Sequence, residues 1–150
     1  MNTGHYIRLL AMTVLSFISM YVLMYAMVDR FANVYPSFNQ FYMAGLMTAP
    51  MVLIEISLMG AMYRNMTLNA VIVVLSALAL IAFFLFIRQQ TAIADRQFLK
   101  SMIPHHAGAI LMCERASIQD PEIKQLCNTI VSGQQAEIDQ MEAILGRLQK

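Results

Sequence analysis

Three long apolar runs within the first 87 residues restrict this chain more than any other feature. They are "YIRLLAMTVLSFISMYVLMYAMV" (6–28), "FYMAGLMTAPMVLIEISLMGAMY" (41–63) and "NAVIVVLSALALIAFFLFI" (69–87). The first carries one charge, Arg8, the second carries Glu55, and the third carries none. Each is close to the roughly 20 residues with which a helix crosses about 30 Å of hydrocarbon. Three such runs in succession are hard to square with a soluble bundle of buried helices, so three transmembrane helices are expected. The first run is too long for a signal-peptide core and lacks a convincing cleavage site, so it is expected to be retained.

Composition agrees: 59% of residues are hydrophobic and 13% charged, with a formal net charge of +1. No clustered basic face is present, which excludes a nucleic-acid surface as the first reading. Residues 89–150 differ in character, holding most of the charges and both cysteines. The sequence therefore divides into a three-span domain, 1–88, and an extramembrane module, 89–150. No turn signal separates "RQQTAIADRQFLKSMI" from the third span, so that helix is expected to run on out of the membrane, with a kink or restart at Pro104. "SIQDPE" (117–122) is a break, with Asp120 as N-cap and Pro121 at the first position of a last helix.

Folding the two module helices antiparallel about residue 119 or 120 places Cys113 opposite Cys127. It also sets His105 and His106 opposite Gln134 and Gln135, and Met102 near Ile138 and Met141. The inward stripe of the last helix reads Ile123, Leu126, Cys127, Ile130, Gln134, Ile138, Met141, Leu145 and Leu148. A two-helix hairpin buries little surface, so self-association into a four-helix bundle, a homo-oligomer, is expected.

"SMIPHHAGAILMCERA" (101–116) gathers imidazole, thioether and thiol side chains in one stretch. Met102 and His106 are four apart and His105 and Met112 seven apart, spacings that share a helix face. Met141 and Glu137 lie one turn apart on the opposing helix. Such donors suit Cu(I) or Ag(I) better than Zn(II), Mg(II) or Ca(II). On spacing alone, core packing and hydrogen bonding explain these residues as readily.

"DRQFLKSMIPHHAGAILMCERA" and "DPEIKQLCNTIVSGQQAEIDQMEAIL" resemble the paired helices of the domain-of-unknown-function 305 family, over about residues 93–145. The matching positions include Asp95, Phe98, Met102, Pro104, His105, His106, Met112, Gln134, Glu137 and Met141. That resemblance implies a ferritin-like helical bundle, an extracytoplasmic module and copper binding, and the three-span front is similar to that of a membrane-anchored subset. The expected ligands are His105, His106, Met102, Met112 and Met141, with Glu137, Gln134 and Asp95 orienting them. Many members carry two hairpins in one chain and this chain carries one, which again favours an oligomer.

In an oxidising compartment Cys113 and Cys127 are expected to form a disulfide; in a reducing one their thiolates would be available to Cu(I). Charge does not fix orientation: Arg8 and Arg64 fall on one side, Arg30 and Arg88 on the other. The resemblance places the module outside the cytoplasm of a bacterial inner membrane. In the second span Met43, Met47, Met51, Glu55, Met59 and Met62 recur at three- or four-residue steps, continued by Met66, as a stripe with a carboxylate near mid-bilayer. This stripe is either a packing seam or, in an oligomer, a path for Cu(I). No triad, phosphate loop or activated nucleophile is visible, so no enzyme is expected. The leading expectation is a membrane protein that sequesters or relays Cu(I). Its rivals are a scaffold with Met-rich packing and a thiol oxidoreductase built on Cys113 and Cys127.

Overall fold

The computed structural model describes residues 3–148. Among them are five α helices and no strand: α1 (Thr3–Leu23), α2 (Phe38–Leu58), α3 (Met66–Gln89), α4 (Asp95–Arg115) and α5 (Pro121–Leu148). The fold is all-α. The chain forms two compact units, one of α1, Asn39–Thr91 and the residues up to Met24, the other of Tyr25–Phe38 and the chain from Ala92 onward.

Three helical segments, most of whose residues belong to the first unit, are long and apolar enough to cross a membrane: Gly4–Met27, Phe38–Leu58 and Met66–Gln89. Their side chains meet through aromatic rings, Phe17 against Phe41 at 5.0 Å and Phe41 against Phe83 at 6.1 Å between centroids. Gly45 is required here, because a Cβ on it would collide with the Phe83 ring. Toward the other end Leu9, Val52, Ile56 and Tyr63 form a small buried cluster. Helix α2 stops at Leu58, short of the expected 63. Turn bonds from Met62 N to Met59 O and from Tyr63 N to Gly60 O replace the helical pattern. Asn65 then caps α3 by accepting from Leu68 N at 3.0 Å.

The third span does not run on into the module, contrary to the sequence expectation. Gln90 and Ala92 adopt φ of 50° and 59°, and the chain turns before α4 begins at Asp95. Neither residue is glycine, so the usual signal for such a turn is missing. Gln90 and Thr91 donate their backbone N–H groups back to Ile87 O and Phe86 O, and Tyr42 donates to Thr91 O at 2.9 Å. These bonds offset a left-handed residue's cost of about 1–2 kcal/mol.

In the second unit α4 and α5 pack as an antiparallel hairpin. Leu99, Ile103, Ala107 and Ile110 from α4 meet Ile138, Met141 and Leu145 from α5. Helix α4 does not restart at Pro104, which lies inside it. An interior proline costs a helix about 3 kcal/mol. Here Ile103 and Ala107, on either side of it, are both wholly buried. Asp120 caps α5 as expected, its Oδ1 accepting from Glu122 N at 2.9 Å and Ile123 N at 3.0 Å. Asp120→Ala is expected to lower stability by about 1 kcal/mol in thermal unfolding, whereas Asp120→Asn should cost almost nothing. The inward stripe of α5 is only half realised. Ile123 and Leu126 are 48% and 57% exposed, because α5 buries its apolar face only from Ile138 onward.

The connection between α1 and α2 belongs to this second unit and covers the hairpin. Val28 and Tyr35 pack on its core. Arg30 donates to Gln135 Oε1 at 3.2 Å, Tyr35 to Glu142 Oε1 at 3.4 Å, and the Phe38 N–H to Gln97 Oε1 at 3.0 Å. A Cβ at Gly108 would stand 3.4 Å from Met27 O, an ordinary contact, so the connection lies directly against this face of α4. Burial first, and then Glu142, hold the Tyr35 hydroxyl above its ordinary pKa of 10.0. It therefore stays protonated as the donor to Glu142 below that range, and the link is lost as the pH rises through the folded value.

Candidate metal centre on the hairpin

His106 is the one histidine of the adjacent pair that the fold buries, at 8% exposure. It lies one turn beyond Met102 on α4, so its Nδ1 reaches back to the Met102 carbonyl at 2.9 Å. A carbonyl only accepts, so Nδ1 carries the hydrogen. Nε2 then faces Glu137 Oε2 from α5 at 2.6 Å. The carbonyl fixes both the tautomer and the ring plane, as it does for histidines that ligate metals. Glu137, expected to orient an imidazole, contacts that of His106 through Nε2.

Met102 and Met141 belong to the hairpin core, Met141 at 9% exposure. Met102 lies one turn before His106 on α4 and Met141 one turn after Glu137 on α5, and the one side-chain contact shown among the four is His106 with Glu137. The fold does not bring in the rest of the expected set. His105 is exposed, its ring 6.0 Å from that of His106 at 64° between planes. Met112 is 54% exposed. Asp95 is exposed in the first turn of α4, about three turns before His106, and Gln134 is partly buried on α5. Among the described residues no group of three or more His, Cys, Asp or Glu side chains is arranged to hold a metal ion. Toward the hairpin turn, Cys113 and Cys127 form a disulfide, with Cα atoms 5.3 Å apart.

The methionine stripe of the second span is interrupted. Met43, Met47 and Met51 lie on α2, but Met59 and Met62 fall in the turn after it, and Met66 opens α3. Glu55 is therefore in the last turn of α2 rather than mid-span, and Tyr63 donates to its Oε1 at 3.0 Å. Sequence reading missed the polar residues that surround it. Buried Asn69 donates to Tyr63 O at 2.7 Å and accepts from Tyr6 at 2.8 Å, and the Tyr6 and Tyr63 rings lie 5.3 Å apart. An asparagine and two tyrosines at apolar segment ends were the available signal.

Residues 58–145 match the model of a family described as "Domain of unknown function (DUF305)". That range takes in α3 as well as the hairpin. The chain is also 34% identical over 140 residues to uncharacterized protein L153 of Acanthamoeba polyphaga mimivirus, covering 91% of this chain and 90% of the relative. No solved structure matches it.

Proposed function

The chain belongs to the DUF305 family, and from that premise we propose that it is a three-span membrane protein whose hairpin binds Cu(I) to sequester or relay it, without catalysing a reaction. The observation that carries this reading is His106. It is a buried imidazole with its Nδ1–H held by a backbone carbonyl and its Nε2 turned to a carboxylate, and Met102 and Met141 lie one turn away along α4 and α5 in the hairpin core. Cu(I) entering between His106 and Glu137 would meet Nε2 with its orientation already set, and Met102 and Met141 are the nearby sources of soft sulfur along α4 and α5. His105 and Met112, exposed on the same helix, are the donors through which a second hairpin in a ferritin-like four-helix bundle would complete the coordination. The Cys113–Cys127 bond fits an oxidising, extracytoplasmic side, as in a bacterial inner membrane. The packing of residues 25–38 on the hairpin fits the three-span reading, because the two crossings by α2 and α3 return the chain to the same side.

The test is titration of the purified full chain with Cu(I) against a strong chelator. His105→Ala with His106→Ala is expected to abolish competition while far-UV helicity is kept; undiminished Ag(I) or Cu(I) binding in that variant overturns the assignment. A second reading, a non-metal membrane scaffold, is favoured by one observation: both ring nitrogens of His106 already have protein partners. It expects no competition from the parent protein at all.

A further inference from the structure

Gly108 is buried, yet it stands about half a turn round α4 from Ile110, which faces α5. The connection between α1 and α2 covers it: a Cβ there would stand 3.4 Å from Met27 O and 4.0 Å from Met27 Cβ. This fixes where Met27 meets the hairpin. His105 lies three residues before Gly108 and Met112 four after it, so both flank that point on one helix face. Helical neighbours at these spacings hold their Cβ atoms about 6 Å apart, which leaves the Met27 Cβ within about 10 Å of each.

The fold makes little use of these three side chains. His105 is exposed, and Met27 and Met112 are 53% and 54% exposed. Val28 and Tyr35, rather than Met27, are the residues of the connection that pack on the hairpin core. Among the described residues no hydrogen bond engages the His105 imidazole. Two thioethers and an imidazole, all uncharged, form a soft donor set that suits Cu(I) or Ag(I) and offers little to a hard divalent ion. Met27 also ends the first apolar span, where a methionine can serve simply as a lipid contact. Leucine would serve that purpose equally well, and this separates the two roles.

We infer that Met27 is a Cu(I) ligand, joining His105 and Met112 in a second site within one chain. The inference rests on the hairpin being a Cu(I)-binding module, and it adds a donor from outside the hairpin. His105 and His106 diverge by about 100° round α4, so the two sites face different neighbours, the connection and α5. The His105 and Met112 pair then holds a metal ion before a second hairpin reaches it, and metal binding fastens the connection to α4.

The full chain in detergent, with isotope-labelled methionine methyl groups, is titrated with Ag(I) and followed by NMR. The Met27 methyl resonance, identified by its loss in Met27→Leu, is expected to shift together with that of Met112. In a His106→Ala background, which removes the inner imidazole, one Ag(I) per chain should still bind. Adding Met27→Leu, which conserves volume, should weaken that binding at least about tenfold, the scale on which even supporting partners of a metal site act. A Met27 methyl that stays in place while Ag(I) moves other methionines overturns the inference and leaves the copper reading standing. So does an affinity unchanged by Met27→Leu. A parent chain that binds no Ag(I) overturns the copper reading, and this site with it.

Discussion

Ile103→Ala is expected to destabilise the hairpin unit by about 2–5 kcal/mol, enough to leave a module this small largely unfolded. Ile103 has no exposed surface and sits in the cluster formed with Ile110 and Ile138, at the centre of the apolar contact between α4 and α5. Truncation removes the transfer energy of the lost methyl groups and leaves a cavity as well. The adjacent Pro104 adds to the sensitivity, because α4 is already one backbone donor short there. Ile123→Ala is the matched comparison: that side chain is 48% exposed and its loss should cost less than about 0.5 kcal/mol. Hydrogen exchange of the α4 and α5 amides in the detergent-solubilised chain reads both. Equal protection in the two variants would mean that the apolar centre of the hairpin lies elsewhere.

Reduction of the Cys113–Cys127 bond is expected to cost about 3 kcal/mol, the loop-closure value for a segment of about this length. The effect should be uneven along the hairpin. The last buried residue of α4 is Ile110 and the first of α5 is Ile138, so the bridge stands where packing has ended. With reductant, amides from 111 to 135 should exchange faster, while those around Ile103 and Met141 stay protected. Uniform loss of protection would show instead that the bridge holds the whole core together. In cells, Cys113 and Cys127 should resist thiol labelling until a reductant is added.

The parts of this fold that could be read from sequence were those fixed by local chemistry. Three runs of apolar residues mark three helices by length alone, and Asp120 followed by Pro121 marks the start of α5. The register that opposes Cys113 to Cys127 follows from helical spacing and a short turn. The turn at 90–94 was illegible because Gln90 and Ala92 adopt left-handed backbone without glycine, held by contacts distant in sequence such as Tyr42 to Thr91. The length of α2 was overestimated because Met59 and Met62 continue an apolar pattern that Gly60 and its turn bonds interrupt. At the candidate site, spacing placed His106 one turn beyond Met102 on α4 and opposite α5. It did not reveal that Nδ1 is held by a backbone carbonyl or that Glu137 faces Nε2, since neither depends on residue type alone.

The cover that residues 25–38 place over the hairpin also sets an order in time. Arg30 meets Gln135 and Tyr35 meets Glu142 across separations of 105 and 107 residues. At a synthesis rate of about 5–20 residues per second, the cover waits about 5–20 s for its partners to be made. During that interval α2 and α3 are synthesised, while Val28 and Tyr35 have no hairpin to rest on. The hairpin, whose own contacts are nearer in sequence, can close first, and the earlier segment docks onto it afterwards. The first connection to be made is thus the last piece of its unit to reach its place.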